Sequence, residues 1–352
     1  MTTAATPAPA QAPLEGLRIL DLSHFVAGPW CTVLLRELGA EVIKVEPPGG
    51  EISRNMGGVY AAGESAIFLG FNSGKKSVCI DLKTAEGRDA VVRMAHEADV
   101  VVQNFRPGTA ERLGVGAEQL RKLRPELVYC AITAFGPDGP YAERPANDPL
   151  IQALSGAMWA TTTPGGTPIR MGVSLPDFAA GVLAAIGILS AIRRKSSTGE
   201  GATVDINLLD SQLYAQTDLL AGGEFSPSVQ KGSVRCSEGR YFWVEADGGD
   251  SACVPVQGLS EVLRNGTART RSLEHPTVGE LHQLKIPVDV DPPWPATASP
   301  PPLLGADTRD ILGELGFSDR TIERLAAQGV INDDQIRTSN VNTTTPHNKE
   351  MP

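Results

Sequence analysis

Leu17-Arg18-Ile19-Leu20-Asp21-Leu22-Ser23-His24-Phe25-Val26-Ala27-Gly28-Pro29 opens the patterned part of this chain. Arg18 to Leu22 is a short aliphatic run, the composition of a buried strand. It leads into a turn where Gly28 and Pro29 let the backbone swing into a helix beginning at Cys31. The same succession repeats downstream. Strands are expected at Arg18 to Leu22, Glu41 to Val45, Ser77 to Leu82, Asp99 to Asn104, Leu127 to Thr133 and Thr203 to Asn207. Apolar residues at three and four spacing predict helices at Cys31 to Leu38, Ala85 to Glu97, Ala117 to Leu123, Pro149 to Met158, Asp177 to Arg194 and Leu209 to Leu220. Strands alternating with helices are the signature of βα units around a mostly parallel sheet, so the fold class is α/β.

Outward from this region the patterning weakens. Residues 1–13 are rich in Ala, Thr and Pro and read as a disordered arm without the basic start or apolar core of a signal peptide. The large α/β domain spans 14–222. From 223 to 290 the patterns shorten, as in a second, small domain. Residues 291–331 comprise a proline-rich connector and two helices, Asp307 to Leu315 and Ser318 to Ala327, the second opened by Ser318 as N-cap and closed before Gly329. Residues 332–352 are polar and unpatterned, and read as a loose tail.

The chain has 352 residues, 41% of them hydrophobic, and a formal net charge of -10. Such a charge argues against a nucleic-acid surface, so any anionic ligand must be held by local groups. The 5 cysteines occur without CxxC pairs, which suggests neither a disulfide framework nor a zinc site and fits a cytoplasmic protein. No membrane span is expected, because Gly181, Gly187 and Ser190 interrupt the longest apolar stretch, Phe178 to Ile192.

The usual cofactor and nucleophile fingerprints, GxGxxG after the first strand, GxxxxGK[ST], GxSxG and HExxH, are absent. Candidates come instead from position. Ligands of open parallel sheets sit at the carboxyl ends of strands, which singles out His24. Lys75, Lys76, Lys83, Arg106 and Arg112 gather where strands end or helices begin, and each carries the charge to meet a phosphate. Asp177 follows Pro176 at the head of an apolar helix ending in Arg193-Arg194-Lys195. Locally it reads as a capping or first-turn acid set against the helix dipole.

Separated motifs then agree with one family. They are Leu14 to Leu22, Ala27-Gly28-Pro29 with Cys31-Thr32, Leu38 to Glu46, Asn72 to Lys76, Ile80 to Thr84, Asn104 to Gly108, Asp148 to Gly156, the Asp177 segment and Pro302 to Thr308. In this ordered set the chain resembles the class III CoA-transferases, which include formyl-CoA transferase, carnitine CoA-transferase and the α-methylacyl-CoA racemases.

The resemblance implies a large Rossmann-like domain, a small domain and an interlocked homodimer. It implies CoA transfer from an acyl-CoA donor to a small carboxylic acid, with CoA as substrate and no permanently bound cofactor or metal. Asp177 matches the family nucleophile, which forms an aspartyl anhydride and then an aspartyl-CoA thioester. Asp148 matches an acidic position near the active site, and His24, Lys83, Phe105 and Arg112 fall where relatives contact CoA. Val26 and Pro47 replace a glutamine and an arginine of formyl-CoA transferase, which removes support for oxalate. The 223–253 stretch is shorter than in relatives, which leaves room for a heteromeric, non-catalytic CoA-ester-binding subunit. A 2-methylacyl-CoA racemase is the other alternative, but Asn147 stands where the racemases carry a histidine.

Overall fold

The structure is a computed structural model and describes residues 11–56, 59–61, 63–162, 166–218, 232–237, 240–245, 253–264, 268–291, 293–294 and 298–332. Most of the arm and nearly all of the tail lie outside these residues, as does the end of the helix expected to reach Leu220.

The central element is a 7-stranded sheet. In chain order its strands are β1 (Arg18–Asp21), β2 (Glu41–Glu46), β3 (Lys76–Ile80), β4 (Val100–Gln103), β5 (Val128–Thr133), β6 (Ala202–Asn207) and β7 (Ile331–Asn332). Their order across the sheet is β7-β3-β2-β1-β4-β5-β6. All pairings are parallel except that of β7 with β3. Without β7 this is the doubly wound order, with its switch point between β1 and β4.

Alternation along each strand explains the three layers. Leu20, Ile43, Val101 and Tyr129 point into one core, while Ile19, Val42, Val100, Val102, Val128 and Cys130 point into the other. Helices α1 (Ala27–Glu37), α4 (Asp148–Leu154) and α5 (Leu175–Thr198) cover the second face. The first is covered by α2 (Ala85–Glu97) and α3 (Ala117–Leu123). Two late helices join them, α7 (Thr308–Glu314) and α8 (Asp319–Ala327). Each fully buried Ile, Leu or Val contributes about 1.5–3 kcal/mol, so these two cores supply the main stabilisation.

Several boundaries differ from the periodicity. Helix α1 begins at Ala27, not Cys31, because Pro29 is acceptable inside a first turn, where its missing N–H costs nothing. The helix expected over Pro149 to Met158 is broken by Gly156, whose φ of 81° cannot continue it, leaving α4 and a short turn at Ala157–Ala160. Helix α5 starts at Leu175 and runs to a left-handed Gly199, so Asp177 lies in its first turn. Its 24 residues reach the length and apolarity of a membrane span, contrary to the sequence expectation, because isolated Gly and Ser do not end a helix. Here Ala180, Gly181, Ala184, Ala185, Ile188 and Ala191 form its buried stripe. The α6 helix is confined to Leu208–Tyr214. At the C-terminus, Ser318 caps α8 by accepting from the Thr321 N–H, as its sequence predicts.

Beyond residue 223, a 3-stranded antiparallel sheet (Gly232–Ser237, Arg240–Glu245, Cys253–Pro255) precedes a helix at Leu259–Arg264 and a hairpin of Thr270–His275 with Gly279–Leu284. The hairpin is tied to the large sheet layer. Arg271 forms a bidentate pair with Glu37 at the end of α1, at 2.5 and 2.8 Å, and Gln283 donates to the Leu69 carbonyl at 2.9 Å.

Candidate active site

At the switch point the segments following β1 and β4 diverge, and the crevice between them is where a doubly wound sheet receives ligands. The two segments are joined reciprocally. The His24 N–H donates to Asn104 Oδ1 at 2.9 Å, and Asn104 Nδ2 donates to the His24 carbonyl at 2.8 Å. A cleft of about 480 Å³ opens here, lined by residues 24–27, 104–107, 132–134 and 144–148 together with Leu150, Asp177 and Leu208.

Asp177 reaches this cleft because Pro176 at the N-terminus of α5 fixes the first turn, with Gly181 letting α5 approach α1 closely. A Cβ at Gly181 would lie 2.7 Å from the Ala27 carbonyl oxygen and from Trp30 Cδ1. The carboxylate of Asp177 accepts no hydrogen bond from a described residue. Burial pushes it up to about 7, with the negative charge of Asp148 adding to the rise and Arg170 opposing it. At neutral pH the group is therefore divided between acid and carboxylate, and its oxygens are more basic than those of an ordinary carboxylate.

Asp148 is the first residue of α4, just after the Asn147 cap, and is 5% exposed. Its Oδ1 accepts from Gln152 Nε2 at 2.8 Å and from Arg170 Nη2 at 3.2 Å. Its Oδ2 is buried and has no hydrogen-bond partner among the described residues. Burial raises this carboxyl too, against the pull of Arg170. Gln152, fully buried, also accepts from the Met171 N–H at 2.9 Å and donates to the Val173 carbonyl at 3.3 Å. One glutamine thus clamps the segment leading into α5 against α4, and so sets Asp177 relative to Asp148.

On the other wall, the His24 ring lies 5.6 Å from Phe25 and 6.0 Å from Phe105, centroid to centroid. Burial depresses the His24 imidazole, which favours its neutral form. The rings give an apolar, stacking surface at the mouth.

Of the residues singled out from sequence, His24, Phe105, Asp148 and Asp177 meet in this cleft. Lys83 and Arg112 do not line it; both are exposed, with Arg112 Nη2 donating to Thr109 Oγ1 at 2.8 Å. Arg106 and Arg144 are the arginines on its lining. Arg106 carried a sequence signal through its strand-end position and Gln152 lay within the Asp148 to Gly156 motif, whereas Arg144 and Arg170 carried none, because only tertiary contacts bring them to the site.

The sequence profile described as CoA-transferase family III matches residues 14–242. The chain belongs to CoA-transferase family III. It is 31% identical to the succinyl-CoA:glutarate CoA-transferase of Mus musculus over 91% of its own length and 90% of that protein. It is 42% identical to the acetyl-CoA:oxalate CoA-transferase of Acetobacter aceti over 60% of this chain and 54% of that protein. Against that second relative, the chain spans about half the length of the enzyme it matches. A solved CAIB/BAIF family protein from Brucella suis superposes with a TM-score of 0.78 at 27% identity, covering 87% of this chain and all of that one, 100%. The family therefore shares the α/β architecture described above.

Proposed function

We propose that this CoA-transferase family III member moves CoA from an acyl-CoA donor to a small carboxylic acid, with Asp177 as nucleophile. The observation that carries the reading is the Asp177 carboxyl, raised to about 7 by burial and accepting no hydrogen bond from a described residue, at the head of α5 in the switch-point cleft. Attack of its oxygen on the donor thioester carbon forms a mixed anhydride as the C–S bond breaks and CoA thiolate leaves. The thiolate then attacks the Asp177 acyl carbon, releasing the donor acid and leaving an aspartyl-CoA thioester. The acceptor carboxylate attacks that thioester and expels the thiolate, which takes the acceptor acyl group and frees Asp177. The α5 N-terminus supplies a favourable field for the oxyanions of these steps.

Asp148, whose buried Oδ2 has no partner among the described residues, becomes a hydrogen-bond donor for the reacting acyl oxygens when protonated, a form that its burial favours. The aromatic wall of His24 and Phe105 suits the nucleotide end of CoA, with Arg106 at the lining and Lys83 and Arg112 beyond it as a charged approach for phosphate. Asn147 spends its side chain capping α4, accepting from the Leu150 N–H, and its amide does not exchange protons near neutral pH, which favours transfer over racemisation.

We further propose a cytoplasmic homodimer, built from a large domain (14–222 with 291–331) and a short small domain (223–290). Trp159, Leu154, Ile186, Val182 and Tyr214, all exposed large apolar or aromatic side chains, support a partner subunit on the α5 side. Incubation of the chain with an acyl-CoA, labelled free acids and hydroxylamine tests the nucleophile. A hydroxamate mass on the peptide containing Asp177, and loss of transfer in Asp177→Ala, is the expected result. Transfer that survives in Asp177→Ala refutes it, as does rapid solvent-deuterium uptake at the α-carbon of a 2-methylacyl-CoA.

A further inference from the structure

The wall opposite the α4–α5 edge is built from an unusual backbone. Phe25 has a φ of 65°, the sole positive value among the described non-glycine residues, and a Cβ at Gly28 would lie 2.2 Å from Ser23 Cβ. A bulky residue in this region costs about 1–3 kcal/mol and persists only where its surroundings hold it. Beneath it lies a cluster of buried charge. Asp21, Lys44 and Glu46 are 0% exposed, and Glu51 and Lys75 are each 4% exposed.

The ammonium of Lys75 donates to Asp21 Oδ2 at 3.0 Å, to the Pro29 carbonyl at 3.1 Å and to Asn72 Oδ1 at 2.9 Å. Asp21 in turn accepts from the Ser23 N–H at 2.9 Å, from the Ser23 hydroxyl, and from Thr32 Oγ1 at 2.7 Å. Lys44 Nζ donates to the Ser23 carbonyl at 2.8 Å, and Glu51 accepts the Phe25 N–H at 3.2 Å. The bonds to Ser23 and Phe25 hold the segment between β1 and α1, those to Pro29 and Thr32 hold the first turns of α1, and the bond to Asn72 anchors the ammonium itself.

We propose that Asp21 and Lys75 are positioning residues: together they clamp both ends of the 22–29 segment and so set the His24–Ala27 wall of the cleft. Neither touches the cleft itself. A buried ion pair is weak as a source of stability, because desolvation offsets the attraction, and an apolar or neutral replacement of both partners is often tolerated. The directional bonds that such a replacement loses are those that hold the loop. The burial of an acid kept well below its usual range by Lys75 and Lys44, despite the opposing cost of desolvation, fits a cluster assembled for geometry. The effect on CoA rests on the transferase reading, whereas the clamp does not.

The test is the double variant Asp21→Asn/Lys75→Met, with the isosteric Thr32→Val as a milder second variant. Amide hydrogen exchange of peptides covering 22–30 reads the clamp, and calorimetry with CoA plus steady-state kinetics reads its consequence. Exchange in 22–30 should accelerate roughly tenfold, the scale of one lost hydrogen bond, while β5 and β6 keep their protection. The Kd for CoA and the KM for acyl-CoA should rise by a similar factor, with the acceptor KM unchanged. Thr32→Val should give the same pattern at roughly threefold. Unchanged exchange in 22–30 in Thr32→Val and in a folded double variant overturns the proposal, as does equal acceleration across all strands, which marks a merely structural role. Should the wild-type chain neither bind CoA nor transfer it, the transferase reading fails, and the exchange arm alone decides the clamp.

Discussion

Replacing Asp177 by Asn isolates the electrostatic cost stored at the centre of the site. Burial raises this carboxyl from 3.8 to about 7, so the folded chain keeps a proton that the unfolded chain has already released. For a raised acid the sign is fixed: the folded state loses stability as pH rises from about 4 towards 7, and the penalty is complete above about 7. Each pH unit in this window is worth about 1.4 kcal/mol, giving about 2.7 kcal/mol between pH 5 and 7 as an upper bound. Asp177 is partly accessible, so solvent screening and relaxation reduce this to roughly 1–2 kcal/mol. Asparagine has no charge to lose. The variant should therefore gain roughly 1–2 kcal/mol on wild type between pH 5 and pH 8. Urea unfolding of both proteins at the two pH values measures it, and pH-independent effects of the substitution cancel in the difference. Removal of the Asp177 charge also eases ionisation of its neighbour Asp148, which acts in the same direction. An increment of zero or of opposite sign would show that the carboxylate is stabilised in the fold, and would remove the basis for an activated nucleophile.

Three further outcomes follow from the same geometry. For the free enzyme, kcat/KM for acyl-CoA should rise with pH to a plateau above about 7 as Asp177 ionises; a profile already flat from pH 5 contradicts that. Arg106→Ala, on the cleft lining, should weaken CoA binding by about 1–3 kcal/mol, as for a bond between charged groups, whereas Lys83→Ala and Arg112→Ala, off the lining, should each cost less than Arg106→Ala and fade with added salt. Calorimetry at two ionic strengths separates them, and a larger loss at Lys83 than at Arg106 would move the nucleotide away from the cleft. Gly181→Ala should destabilise the fold by about 1–3 kcal/mol, since its Cβ meets a backbone carbonyl of α1; equal stability in urea would mean that the α1–α5 contact can open without cost.

Much of the fold was present in the order of residues. Short aliphatic runs between amphipathic segments are a local property, and they located β1 to β6 to within a few residues: β1 to β5 are largely buried on both faces, and β6, at the sheet edge, alternates half-buried and exposed residues. Ser318 as the cap of α8 was equally legible, since a cap needs only its own turn. The head of α5 was visible in Pro176-Asp177, but nothing local separated a capping acid from a reactive one. What the fold added is its raised proton affinity, which comes from burial and from Asp148, a residue 29 positions earlier by numbering. The strand order that creates the switch point, and the antiparallel return of β7 beside β3, depend on contacts between residues far apart in the chain. So do the pairing of Arg170 with Asp148, the Gln152 clamp and the Lys75–Asp21 pair under the loop. Sequence alone determined most of the sheet's strands and helices and which residues carry ionisable groups, because those follow from local propensity and side-chain chemistry, but not the short β7 at Ile331–Asn332. Only the tertiary structure decided which of those groups meet, are stripped of water and change their acidity, because burial and charge proximity are properties of the assembled fold.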